Sequence, residues 1–215
     1  MNRKPTVFVV DDDEAVRNSI SWMLRKVGLI VESFDSPRAI LDVYDPTQPG
    51  CLVLDLRLPG MNGLELRRRL AERGGHHPFV MVTGHGEVPD VVDAMKLGAI
   101  DFIEKPYRRE QLLDCVRQAL ESDARSRRVE SKRRKLQTNL LKLSNRERQI
   151  LTRVVAGNTT NEIGRSLALS PKTVEVHRSN IARKMKVASM AELIIQLARA
   201  RVVAPRPVSR KKRQA

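Results

Sequence analysis

Asp11, Asp12 and Asp13 follow an apolar run at 6–10, and Asp55 closes a second run at 51–54. Thr83 follows a run at 79–82, and Lys105 stands two residues past a run at 99–103. Groups of these types, each just past a strand-length run, would share one edge if the runs paired in parallel. Carboxylates gathered there repel one another unless a cation sits among them. Oxygen-only ligands with open positions suit Mg²⁺, which keeps waters and accepts a phosphate oxygen. Thr83 would then donate a hydrogen bond, and Lys105 would supply a point charge, to a phosphoryl group carried by Asp55. Singly, each residue reads blandly, an Asp as a turn or cap and a Lys before Pro as surface. Their joint placement carries the inference.

The elements needed to bring them together are legible as alternation. Runs at 6–10, 30–34, 51–54, 79–82 and 99–103 are rich in Val, Ile and Leu, as strands are. Between them lie segments of helical spacing. Val16, Ile20, Met23, Leu24 and Val27 form one apolar stripe; Val91, Val92 and Met95, and Leu112, Val116 and Leu120, belong to others. Five strands alternating with helices predict an α/β fold, a doubly wound parallel sheet covered on both faces. Ligands of such sheets bind outside the carboxyl ends of the strands.

The segments VFVVDDDEAVR, CLVLDLRLPGMNGLEL and FVMVTGHGEVPDVVDAMKLGAIDFIEKPY resemble the receiver domain of two-component response regulators, of the FixJ/NarL-like family, over roughly residues 5–120. The resemblance implies a flavodoxin-like (βα)5 receiver with Asp55 as phosphoacceptor, Asp11 and Asp12 as the acidic pair, and the Arg57 carbonyl as a further Mg²⁺ ligand. It also implies Thr83 and Phe102 as a switch pair, and a cis bond between Lys105 and Pro106. A phosphohistidine on a sensor histidine kinase would be the donor. Phosphorylation would draw Thr83 inward and Phe102 after it, remodelling the face of the fourth helix, fifth strand and fifth helix so that two receivers pair. Val88, Val91, Lys96 and Arg109 are the residues expected on that face. Arg57 and His85, each two residues past a site residue, are candidates for shielding the acyl phosphate from water. Trp22 falls off the stripe of the first helix and is a candidate for docking the kinase.

Charge divides the chain. Residues 1–120 hold 16 Lys/Arg and 18 Asp/Glu, net −2; residues 121–215 hold 24 and 7, net +17. A near-neutral half joined to a strongly basic one suggests one domain that senses and one that holds a polyanion, with nucleic acid the natural choice. Four segments follow: a receiver at 1–120, a basic linker at 121–138, a helical DNA-binding domain at 139–204, and a basic tail at 205–215 expected to be disordered. The linker can continue the fifth helix, but no stripe sustains a coiled coil, so a solvated charged connector is expected. No run approaches the ~18 apolar residues of a membrane span. Cys51 and Cys115 lie in apolar stretches and read as reduced core residues. With no secretory leader evident, a cytoplasmic chain is expected.

Helix signals are dense in the last 70 residues. Ser144 with Glu147 forms a capping box and Gly157 a stop; Thr159 with Glu162 caps a helix at 161–167. Ser170 before Pro171 opens a helix running to Met185, and Ser189 with Glu192 caps a fourth with Leu193, Ile194 and Leu197 inward. In the third of these, Val174, Ile181 and Met185 would face the core, with Lys172, Glu175, Val176, Ser179 and Arg183 opposite or flanking. A helix exposed over its first turns fits the DNA major groove.

The stretch LSNRERQILTRVVAGNTTNEIGRSLALSPKTVEVHRSNIARKMKVASMAELI resembles the LuxR-type DNA-binding domain, an all-α four-helix helix-turn-helix domain, from about Leu143 to Ala200. By that resemblance the helix-turn-helix spans roughly 160–179. Glu175, Val176 and Ser179 would contact bases of double-stranded promoter DNA, and Lys172, Thr173, Arg178, Arg183 and Lys184 would contact phosphates. Glu175 either accepts from a cytosine amino group or orients a neighbouring Arg. One such domain offers little surface, so a homodimer on two half-sites is expected; RNA polymerase is a further partner that this architecture allows.

Two rival readings stand beside this one. An enzyme using Asp55 as nucleophile, such as a phosphomonoesterase, needs a second carboxylate just past it, where Arg57 and Leu58 stand; no enzyme is expected. A DNA-binding regulator with a receiver fold indifferent to phosphorylation would have no use for the acidic pair, Thr83 and Lys105 together.

Overall fold

The computed structural model describes residues 3–84 and 86–202. The expectations for His85 and for the tail at 205–215 lie outside the described residues. The chain divides into two units, Met1–Arg127 and Arg128–Ala215.

In the first unit, β1 (Thr6–Val10), β2 (Ile30–Phe34), β3 (Gly50–Asp55), β4 (Phe79–Thr83) and β5 (Ala99–Glu104) form one parallel sheet in the order β2-β1-β3-β4-β5. Each strand was expected within one residue of these bounds. Four helices connect them: α1 (Glu14–Lys26), α2 (Pro37–Val43), α3 (Gly63–Glu72) and α4 (Val88–Lys96); α5 (Arg109–Leu141) follows the last strand.

Alternation along the strands divides the core in two. Val7, Val9, Cys51, Val53, Val80, Val82 and Ile103 face one side, where Ile20, Met23 and Leu24 of α1 and Leu112, Val116 and Ala119 of α5 cover them. Phe8, Val10, Leu52, Leu54, Phe79 and Met81 face the other, under Ile40, Leu64, Leu66, Leu70 and Ala94 of α2, α3 and α4. Each side chain of this size contributes roughly 1.5–3 kcal/mol on full burial. Both cysteines are buried and free.

Two stripe expectations need correction. Val27 is 45% exposed, because the helix ends before it and its backbone departs from helical geometry. In α4, only Ala94 is buried, while Val88, Val92 and Met95 are 78%, 44% and 50% exposed. Nine residues of helix make one narrow contact with the sheet, and the apolar residues in excess of it face outward.

The segment expected as a solvated connector is helical. α5 continues unbroken to Leu141, carrying residues 121–138 within it. On the first unit's side, the Asp123 carboxylate accepts from the Gly50 amide at 3.0 Å and pairs with Arg127 at 2.8 Å. Arg127 in turn donates to the carbonyls of Thr47 and Gln48 at 2.9 and 2.6 Å. Past the division, Leu136 and Leu140 of α5 are buried in the core of the second unit.

That second unit adds α6 (Asn145–Val155), α7 (Thr160–Leu167), α8 (Pro171–Met185) and α9 (Met190–Arg199). Capping boxes at Ser144/Glu147 and Thr159/Glu162 start α6 and α7. The Ser170 hydroxyl accepts from the Thr173 amide, with Pro171 in the first turn, and Ser189 caps α9. Ile150, Leu151, Ile163, Val174, Ile181, Met185, Leu193 and Leu197 make the core. The turn between α7 and α8 is tight: Ala168 is left-handed, and the Leu169 amide reaches back to the Gly164 carbonyl at 2.9 Å.

Candidate functional site

Parallel pairing brings the ends of β1, β3, β4 and β5 to one edge, and the acidic and basic residues with them. Ligand atoms of Asp11, Asp12 and Asp55 lie within 4.8 Å of one another. Asp11 and Asp55 are buried while Asp12 is exposed, so the cluster opens to solvent on one side. Lys105 stands against it, its Nζ 2.8 Å from Asp11 Oδ2 and 2.9 Å from Asp55 Oδ2. The Lys105–Pro106 bond is cis.

Electrostatics explain why a cation fits. Burial pushes the Asp11 carboxyl above its usual range; Lys105 pulls it back, and the Asp55 charge pushes it up again. Burial also works against the Lys105 ammonium, but its bonds to Asp11 and Asp55 and their charges outweigh that and hold it above its usual range. One ammonium faces three carboxylates. The deficit of positive charge, in a set of hard oxygen donors, matches a divalent cation such as Mg²⁺.

Local geometry fixes Asp55. Its Oδ1 accepts from the Arg57 amide at 3.1 Å. The Gly63 amide at the start of α3 donates to the Leu56 carbonyl at 2.8 Å, drawing the helix against the end of β3. A Cβ at Gly63 would stand 2.2 Å from the Asp55 carbonyl oxygen. Sequence reasoning missed this glycine; its signal was a Gly directly after a helix-capping Asn62.

Thr83 is buried, and its carbonyl accepts from the Lys105 amide at 2.7 Å, tying the ends of β4 and β5. Phe102 is half-buried beside it. A Cβ at Gly86 would meet the Phe102 ring at 2.5 Å and the Thr83 methyl at 3.3 Å, so the ring occupies space that only a glycine leaves. Trp22 is 60% exposed, with Lys26 Nζ 4.7 Å and the Arg109 guanidinium 5.5 Å from its ring centroid. Arg109 is thereby turned toward α1.

On α8, Lys172, Thr173, Glu175, Val176, Ser179 and Arg183 are exposed, opposite buried Val174, Ile181 and Met185. Arg178 and Lys184 are half-buried and engaged. Arg178 Nη1 donates to Thr160 Oγ1 at 2.7 Å, and Lys184 Nζ to Glu147 Oε2 at 2.7 Å. Burial raises the Glu147 carboxyl, but bonds from Lys184 and Ser144 more than offset it and hold the group below its usual range.

Comparison with known proteins agrees with this geometry. Residues 7–117 match the response regulator receiver domain, and residues 141–197 match the bacterial regulatory proteins of the luxR family. The chain is a response regulator. It is 45% identical to the transcriptional regulatory protein FixJ of Azorhizobium caulinodans over 188 residues, 87% of this chain and 89% of that one. It is 40% identical to the response regulator protein TodT of Pseudomonas putida, covering 90% of this chain and 85% of that one. Among solved structures, the response regulator StyR is similar with a TM-score of 0.82 and 41% identity, over 91% of this chain and 98% of that one. This response regulator is therefore a phosphorylation-dependent transcriptional regulator, with a receiver and a LuxR-type helix-turn-helix domain. Among the described residues no helix is long and apolar enough to cross a membrane.

Proposed function

We propose that Asp55 accepts a phosphoryl group from the phosphohistidine of a sensor histidine kinase, and that this controls pairing on promoter DNA. The observation that carries the proposal is the gathering of Asp11, Asp12 and Asp55 within 4.8 Å, with Lys105 bonded to two of them. Asp11, Asp12, Asp55 and the Arg57 carbonyl would hold Mg²⁺, which neutralises charge developing on the transferred group. Asp55 Oδ attacks in line, and the kinase histidine leaves. Lys105 exchanges part of its hold on Asp55 for a phosphoryl oxygen, and Thr83 donates to another. Thr83 then moves toward Asp55, and Phe102 follows into the vacated space.

The exposed Val88, Val92 and Met95 support α4 as a pairing surface, since an apolar row of this kind gains from being covered. Val88, Val91 and Lys96 belong to that surface, whereas Arg109 belongs with Trp22, where the kinase would dock. Glu175, Val176 and Ser179 would read bases; Lys172, Thr173, Arg178 and Arg183 would grip phosphates, and Lys184 would do so with the N–H bonds that Glu147 leaves. The protein would work in the cytoplasm, where its promoters and RNA polymerase are.

Sedimentation equilibrium of the full chain with Mg²⁺, with and without beryllofluoride as a phosphoryl mimic, tests the proposal. A monomer-to-dimer shift that Asp55→Asn abolishes is expected. An unchanged mass would reject pairing as the consequence of phosphorylation.

A further inference from the structure

Thr160 opens α7, yet its hydroxyl serves α8. Its Oγ1 accepts from Arg178 Nη1 at 2.7 Å and donates to Glu175 Oε1 at 2.6 Å. A hydroxyl has one proton, so the direction is determined: the guanidinium donates to the hydroxyl, and the hydroxyl donates to the carboxylate. Arg178 also reaches Glu175 Oε1 directly, at a longer 3.4 Å. The side chain of Glu175 is nonetheless 58% exposed on the face of α8 opposite its buried residues. Among the described residues nothing bonds its Oε2, which stays available to a ligand.

We infer that Thr160 is a specificity-determining positioning residue: it pins Glu175 so that the free carboxylate oxygen accepts from a cytosine amino group in the major groove. The inference rests on the reading of α8 as the base-contacting helix. Physical chemistry supplies two reasons for such a pin. An exposed Glu–Arg pair three residues apart on one helix is weak and fluxional, because solvent screens it and both side chains lose rotamer freedom in forming it. A carboxylate facing DNA is also repelled by the phosphates and swings away unless something holds it. The Thr160 hydroxyl, joined to the helix N-terminus, provides a fixed third point, so the ordering cost is met before DNA arrives. Carboxylates accept from the cytosine N4 amino group; guanine and thymine offer no amino donor in the major groove, and adenine sets its own beside an N7 acceptor that repels a carboxylate.

Two substitutions separate the hydroxyl from the shape of the side chain. Thr160→Val keeps the branching and removes both hydrogen bonds; Thr160→Ser keeps the hydroxyl and drops the methyl. The full chain, with Mg²⁺ and beryllofluoride, is first used to enrich duplexes from a randomised DNA pool. Competition binding then compares the enriched duplex with versions in which each C·G pair is replaced in turn by T·A. The parent chain and Thr160→Ser should discriminate at one C·G pair per half-site, and Thr160→Val should lose that discrimination by roughly tenfold.

A merely structural role would lower the affinity of Thr160→Val for every duplex alike, leaving the ratio intact, and that result would overturn the inference. So would an unchanged ratio with unchanged affinity, or a Thr160→Ser chain that loses as much discrimination as Thr160→Val. Enrichment of no sequence by the parent chain would instead reject α8 as the base-reading helix, a failure distinct from the others.

Discussion

A Cβ at position 63 would stand 2.2 Å from the Asp55 carbonyl oxygen, so Gly63→Ala must push aside either the start of α3 or the end of β3. Because the displaced atom belongs to the backbone of the proposed phosphoacceptor, phosphorylation should slow by about a hundredfold, the scale expected of a ~1 Å misplacement. Phosphoprotein gels after incubation with acetyl phosphate would measure it; a normal rate would show that Asp55 tolerates the shift. Glu147 yields a pH prediction at the same scale. Its folded-state pKa is lowered, so the unfolded chain binds the proton more tightly. The stability it contributes is therefore complete above the usual glutamate range and is lost as pH falls through that range toward the depressed folded value. Glu147→Gln should cost about 1–2 kcal/mol near neutral pH and flatten this acid dependence, read from amide exchange in α6.

At the scale of elements, α5 is held to the first unit by Asp123 and Arg127, which bind the backbone of the loop leading into β3. Arg127 Nη2 also lies 3.2 Å from His77 Nε2, and the Tyr44 hydroxyl bonds the other ring nitrogen of His77. Burial is the main influence on this imidazole and lowers its pKa, keeping it neutral. Arg127→Ala would leave the buried Asp123 carboxylate without its charged partner and take a donor from the carbonyls of Thr47 and Gln48, costing about 2–3 kcal/mol. Faster amide exchange at residues 44–50 and 121–127 is the expected readout, with protection elsewhere in the sheet preserved. For α4, Val92→Glu should change stability by less than about 0.5 kcal/mol, because the residue is exposed, while abolishing the beryllofluoride-dependent dimer. A dimer that survives this change would move the pairing surface off α4.

For the molecule as a whole, the charge asymmetry governs how DNA binding responds to salt. Residues 121–215 carry net +17, and affinity should fall linearly in log–log form with a slope of about −0.9 per phosphate neutralised. Lys172→Ala should weaken binding to all sequences nearly equally and reduce the slope by about one. An unaltered slope would remove Lys172 from the phosphate contacts. The first half, at net −2, contributes little to that attraction.

The sequence by itself determined the strands, the helix starts of the second unit and which acidic residues gather at one edge, because those signals are local. Runs of Val, Ile and Leu specify strands, Ser and Thr specify caps, and a carboxylate after each of two strands survives any detail of packing. Even the register of the site followed, since parallel strands of similar length align their ends. Only the tertiary structure decided what depends on residues far apart in the chain. Val92 and Met95 read as core by spacing and lie outside because the sheet beneath α4 has room for little beyond Ala94. The segment 121–138 read as a connector because its residues are charged, yet it is helical, with Asp123 and Arg127 bonded to Gly50 and Thr47, 73 and 80 residues away. Thr160 looked like one more polar residue at a helix start. Its bonds to Glu175 and Arg178 exist because two helices meet across a tight turn, and the spacing along either helix does not encode that meeting.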